Sequence, residues 1–208
     1  MNLTEIKELI PECCNAAVID INEFSDHQKN HLEEYLSSVN SIIVLGHHIK
    51  NSQEWVWNQL KSETETCTAD LHTKDVMEKI RDYLEQKNHN SKIIPYPGVS
   101  GVRFKKIAAK SNLGEIGDNY LFLHRDWGPW VHLRVLITDA EIEGSPKAEI
   151  DEVCIHCGKC IEACPANALS QNNFERQKCK DRHENLNLSH SCEICARNCP
   201  IGEVPEDK

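Results

Sequence analysis

The chain has 208 residues, 39% of them hydrophobic, with eleven cysteines and a formal net charge of -10. That length suits one domain of ordinary size plus a smaller one, and no apolar run approaches the roughly 18 residues of a membrane-spanning helix. The negative charge, shared as -5 on residues 141–208 and -5 on the rest, argues against a protein that wraps nucleic acid, since phosphate binding relies on clustered Lys and Arg.

The N-terminus, MNLTEIKELI, carries acidic residues and neither a secretory nor a twin-arginine pattern, so the expected location is cytoplasmic. In that compartment cysteines point to metal ligation rather than disulfides. Cys13 and Cys14 are adjacent and are expected not to share a metal; with Cys67 they are read as ordinary thiols or a redox-sensitive spot. Ser25-Asp26-His27-Gln28 has the form of a capping box opening a helix to about residue 37, with Leu32, Tyr35 and Leu36 on one face. Residues 41–45 (SIIVL) are apolar and β-branched and are closed by Gly46, which reads as a buried strand. His47 and His48 follow at its end, as a surface turn or as proton donors. Asp70 is a candidate N-cap for a helix over residues 71–87, with Leu71, Val76, Ile80 and Leu84 at helical spacing.

Residues 92–96 read as a strand that Pro95 and Pro97 push to an edge. Residues 103–111 read as a helix closed by Gly114, and Arg103, Lys105 and Lys106 either catch a phosphate or propionamide tail or simply solvate that helix. Residues 119–124 and 132–139 alternate as strands do, flanking the aromatic turn Asp126-Trp127-Gly128-Pro129-Trp130. Strands alternating with helices predict a layered sheet domain over residues 1–145, and the composition change near residues 143–148 sets a boundary before residues 146–208.

Eight of the eleven cysteines lie in that last part. Cys154, Cys157, Cys160 and Cys164, followed by Pro165, form C-x2-C-x2-C-x3-C-P, the bacterial ferredoxin spacing. Three thiolates two residues apart wrap one iron–sulfur cubane, with Gly158 admitting unusual dihedrals, while the fourth faces a second cluster. The second run is Cys179, then Cys192, Cys195 and Cys199 before Pro200. By the cross-over rule Cys199 completes the cluster of Cys154, Cys157 and Cys160, and Cys164 joins Cys179, Cys192 and Cys195. Structural zinc also uses C-x2-C pairs, yet it leaves the two C-x3-C-P endings unexplained. The expected cofactors are thus two [4Fe–4S] clusters. His156, inside the first cluster loop, is either a tuning hydrogen-bond donor or merely exposed.

Residues 100–140 (SGVRFKKIAAKSNLGEIGDNYLFLHRDWGPWVHLRVLITDA), feeding a double-cluster segment, resemble the epoxyqueuosine reductases and the related reductive dehalogenases. The resemblance covers residues 41–46 and 100–200. It implies an α+β fold: a nitroreductase-like α/β sheet domain, here residues 1–145, that binds cobalamin, followed by a two-[4Fe–4S] ferredoxin domain in residues 146–208. It implies that one cluster reduces the corrinoid cobalt, with Arg103, Gly114, Gly117, Asn119 and His124 toward the cofactor. Gly114 and Gly117 would let a planar ligand come close, or serve only as a helix cap and a tight turn. Asp70-Leu71-His72 resembles the family's Asp-Tyr-His, whose aspartate donates a proton, so Asp70 and then His48 are the candidate catalytic acids.

The chain departs from the family where residues 46–49 read Gly-His-His-Ile and a tyrosine is usual, and where it stops nine residues after Cys199. The leading expectation is a corrinoid-dependent iron–sulfur reductase of a small substrate, fed by reduced ferredoxin or flavodoxin, without nucleic-acid or membrane partners. The alternative is a non-enzymatic electron-transfer partner that reactivates a corrinoid protein. FMN in place of cobalamin is a third option, which no feature of the sequence selects.

Overall fold

In a computed structural model the described residues are 1–56, 58–59, 65–96, 98–99, 102–144, 152–186 and 192–206. Ser100, Gly101 and most of the expected boundary near residues 143–148 lie outside them. The chain divides into two compact units. The first comprises Met1–His48, Leu71–Leu113 and His132–Ile150; the second comprises Ile49–Asp70, Gly114–Val131 and Asp151–Lys208.

The first unit is built on a four-stranded sheet whose spatial order is Cys14–Asp20, Ser41–His48, Val131–Thr138 and Ser91–Ile93. The first two strands run antiparallel in a register that sets Cys14 opposite His47 and Val18 opposite Ile43. Ser41–His48 is buried along nearly its whole length and Val131–Thr138 throughout, which is why their sequences run apolar instead of alternating. The expected strand at residues 92–96 is the short edge strand Ser91–Ile93, cut off two residues before Pro95.

Helices complete this unit. α1 (Leu3–Lys7) and α2 (Asp26–Glu33) both open with capping boxes, Asn2 with Glu5 and Ser25 with Gln28. α2 stops at Glu33 and buries Leu32. α3 (Thr68–Gln86) buries Val76, Met77, Ile80 and Leu84 in one core with Ala16, Val18, Ile43, Leu45 and Leu136. The helical period was legible, but its first assigned member was not a core residue, because Leu71 is 44% exposed. α3 also begins earlier than expected, so Asp70 lies within its first turn and is not its N-cap. α4 is only Phe104–Ala108 and buries Phe104, Ile107 and Ala108; Arg103 precedes it without a side-chain cap bond.

Gly114 does not close that helix. It opens the strand Gly114–Ile116, which pairs antiparallel with Phe122–His124 in the second unit. Residues 119–121, expected as strand, form the turn, where the Asn119 side chain accepts from the Leu121 N–H at 3.0 Å. The rest of the second unit is short: α5 (Lys159–Glu162), α6 (Arg176–Leu186), α7 (Ile194–Arg197) and a two-stranded ribbon of Leu169–Ser170 with Asn173–Phe174. Its apolar cluster is small, centred on Ile49, Cys67, Ala69, Trp130 and Ala196, with Trp55 and Leu121 packed against it.

Candidate metal centre

Cys154, Cys157, Cys160 and Cys199 line one recess of about 310 Å³, open space included, together with Asp118, Asn119, Leu123 and Ile201. Three of these thiols come from the loop that leads into α5. Gly158 stands at its N-cap with φ 74, and His156 has φ 51, so the chain coils tightly between ligands. The fourth arrives after α7, where the Cys199 N–H donates to the Ala196 carbonyl. The hairpin supplies the opposite wall. Glu115 accepts from the Cys154 N–H at 2.6 Å, and Asp118 meets His156 Nδ1 at 3.0 Å.

Burial and neighbouring thiols raise several of these cysteines. Burial, then the neighbouring Cys154 and Cys157, raises the Cys199 thiol above its ordinary value. Burial, then the Asp118 carboxylate and Cys154, does so for Cys160. Cys195 is pushed up to about 12 by burial and then by Cys192, Cys164, Cys179 and Cys160. Cys179 is raised by burial, then by Cys192 and Cys164. Crowded buried thiols resist ionising against protons alone, and they are a fitting donor set for a cation that takes the protons' place. The Ala168 N–H reaches Cys164 Sγ at 3.4 Å, the kind of N–H···S bond that adjusts a cluster's potential. Asp118 also raises the pKa of exposed His156, chiefly through their hydrogen bond, beside the first thiol loop.

Two glycines not singled out from the sequence position Cys199. Gly128 has φ +57 and a Cβ there would lie 1.9 Å from the Ile201 carbonyl oxygen; Gly202 has φ +75 and a Cβ there would lie 2.3 Å from the Trp127 carbonyl oxygen. The aromatic turn and the segment after the last ligand therefore cross backbone against backbone. Trp127 stacks on buried His124 with ring centroids 3.9 Å apart, so the turn packs under its own aromatics. The signal was present only as a Gly in each of two Pro-containing turns.

The expected cofactor contacts are drawn from both units. Arg103 is an exposed residue of the first unit, while Gly114, Gly117, Asn119 and His124 belong to the hairpin of the second. The two glycines are accounted for without a ligand: a Cβ at Gly114 would lie 1.9 Å from the Leu123 carbonyl oxygen, and one at Gly117 would lie 2.4 Å from Leu123 Cδ1. Leu123 thus fills the side on which a flat ligand was expected. The His124 ring accepts from the Asp126 N–H at 3.2 Å. Asp70 is buried in the second unit, and His48 is half-buried at the strand end of the first.

In the first unit, Cys13, Cys14 and His47 bring their ligand atoms within 4.8 Å of one another. Adjacency did not keep the two thiols apart: Cys14 is the first residue of its strand and Cys13 lies in the turn before it, where the Cys14 N–H donates to the Pro11 carbonyl.

Residues 149–170 match the family model for a 4Fe-4S binding domain. The epoxyqueuosine reductase of a Synechocystis species is 23% identical over 214 residues, spanning 94% of this chain and 65% of that protein. The chain is related to the epoxyqueuosine reductases. Its matched stretches span 31% to 65% of the length of four such curated relatives. The solved epoxyqueuosine reductase of Streptococcus thermophilus superposes with a TM-score of 0.71 at 19% identity, covering 100% of this chain and 68% of that one. A second, solved with a tRNA stem loop, gives 0.66 at 17% identity over 95% of this chain and 63% of its own. A reductive dehalogenase structure described in terms of B12-dependent dehalogenation gives 0.65 at 15% identity, over 89% of this chain and 29% of that one. The mixed helix-and-strand fold with a ferredoxin segment is that of both groups. Among the described residues no helix is long and apolar enough to cross a membrane.

Proposed function

We propose that the chain is an iron–sulfur reductase that moves electrons through two [4Fe–4S] clusters to a corrinoid acceptor serving a small substrate. The observation that supports this reading is that Cys154, Cys157, Cys160 and Cys199 line one recess, the set that crossed ferredoxin ligation would use for one cluster. Cys154, Cys157, Cys160 and Cys199 would hold one cluster, and Cys164, Cys179, Cys192 and Cys195 the other. A bound corrinoid would supply a strongly nucleophilic reduced cobalt. Likeness of fold to a reductive dehalogenase described in terms of B12-dependent dehalogenation supports it. The hairpin around Gly114 and Gly117 does not fit as its cradle, because Leu123 fills that side, so other residues would have to hold it.

Asp70, buried in the first turn of α3, is the proposed acid, with His48 second. Reduced ferredoxin or flavodoxin is the proposed donor. A tRNA stem loop accompanies one solved relative, but the charge of -10 favours a small molecule here.

Anaerobic reconstitution tests the first half: two cubanes require about eight iron and eight sulfide per chain. Four of each, or zinc alone, would sink it. Visible spectra after adding cobalamin or FMN and desalting test the second half. Stoichiometric retention of cobalamin supports the reductase. Retention of neither, with continued electron delivery to an added corrinoid protein, would make the chain a relay.

A further inference from the structure

We infer that Cys13, Cys14 and His47 form a separate site for a thiophilic divalent cation of the zinc class, independent of the eight cluster cysteines. The fold brings them together by two devices. Cys14 and His47 are direct partners across antiparallel strands, and such partners project their side chains to the same face. Strand alternation would turn Cys13 to the opposite face, but Cys13 stands before the strand begins, so the alternation does not bind it. The His48 N–H donates to the Cys13 carbonyl at 2.8 Å and pins that residue to the strand end of His47.

The three donor atoms all lie within 4.8 Å of one another, and Cys14 Sγ stands 3.6 Å from His47 Nδ1. With Zn–S near 2.3 Å and Zn–N near 2.0 Å, two ligands of a tetrahedral zinc are about 3.5 Å apart. The same separation serves a thiol–imidazole hydrogen bond without metal, so the metal-free form needs no other partner. Cys14 and His47 are buried, at 9% and 4% exposure, and Cys13 is half-buried, which leaves an approach from the Cys13 side. The His72 ring stands edge-on to His47 at 5.9 Å and limits its rotation.

Two thiolates and one imidazole are a recognised zinc donor set, and three protein ligands leave a fourth position for water or an exogenous ligand. Binding would replace the two thiol protons, which pass to solvent, with no change of oxidation state.

The test uses the cluster-loaded protein, zinc alone as the probe, and desalting before elemental analysis. The expected result is about one zinc per chain, with two sulfurs and one nitrogen at the zinc X-ray absorption edge and unchanged iron and sulfide. Cys13→Ser and His47→Ala should each weaken retention at least tenfold while iron stays in place. An edge showing four sulfurs, zinc bound equally by Cys13→Ser, or no retained zinc would overturn the site. The edge spectrum of the unmodified protein decides the matter even if a variant fails to fold.

Discussion

The two units are held together by different kinds of force. The first closes a four-stranded sheet over a continuous apolar core in which α3 packs Val76, Met77, Ile80 and Leu84 against strand residues such as Ile43, Leu45 and Leu136. The second has a smaller described apolar cluster, short helices and thiols that burial and mutual proximity make costly to ionise. One is organised by removal of apolar surface from water, the other by ligands waiting for cations. The stability of the second should therefore be a property of its metal, and that of the first should not.

The largest effect should follow from removing the proposed clusters. Chelation with reduction, or Cys157→Ser with Cys195→Ser, should leave amides of residues 42–45 and 76–84 protected from hydrogen exchange while those of residues 153–206 exchange freely. Loss of protection in both units together would erase the distinction. The converse variant is Ile80→Ala, which empties a fully buried position of the first core. It should cost about 2–5 kcal/mol in chemical denaturation followed by far-UV dichroism. The absorbance of the bound clusters should persist until the denaturant reaches the second unit.

A smaller effect is expected at the backbone crossing. Gly128→Ala forces an L side chain into φ +57 against the Ile201 carbonyl. The strained conformation alone costs on the order of 1–3 kcal/mol, and the clash adds to it. Because Ile201 lines the recess and follows Cys199 by two residues, cluster loss on exposure to air should quicken. Unchanged cluster lifetime would mean that metal ligation alone positions that segment.

The same contrast explains what could be read in advance. Cysteine spacing is local, so the ferredoxin-type run from Cys154 to Cys164 was legible before any fold was known, and so were the Ser25 capping box and the buried strand at Ser41. The strand Cys14–Asp20 went unread, although its pairing with Ser41–His48 creates the Cys13–Cys14–His47 cluster. Gly114 was assigned to a helix end because glycine serves both there and in tight hairpins, and only the approach of Leu123 distinguishes the two. Gly128 and Gly202 answer each other across more than seventy residues, a distance at which sequence carries no periodic signal. Asp70 looked like a cap because the two residues of α3 that precede it, Thr68 and Ala69, are unremarkable in sequence.

The smallest expected effect lies in the first unit and needs no metal. Glu5 accepts from the Asn2 N–H at 2.8 Å in the α1 capping box, and also from Tyr83 Oη at 3.0 Å and Lys87 Nζ at 3.1 Å. These bonds, that of Asn2 first, then Lys87 and Tyr83, lower its pKa from 4.5 to about 2. A carboxyl whose folded pKa is depressed binds fewer protons folded than unfolded, so its contribution is fully present above pH 4.5 and fades as pH falls toward 2. Glu5→Gln keeps a side chain able to close the capping box but removes the charge. Amide protection at Ile6 and Lys7 should fall slightly in the variant at pH 7, and the gap from the parent should narrow only below pH 4.5. Reading α1 amides keeps acid loss of the clusters out of the measurement. A gap that persisted unchanged to pH 2 would show that Glu5 acts through its hydrogen-bonding shape and not through its charge.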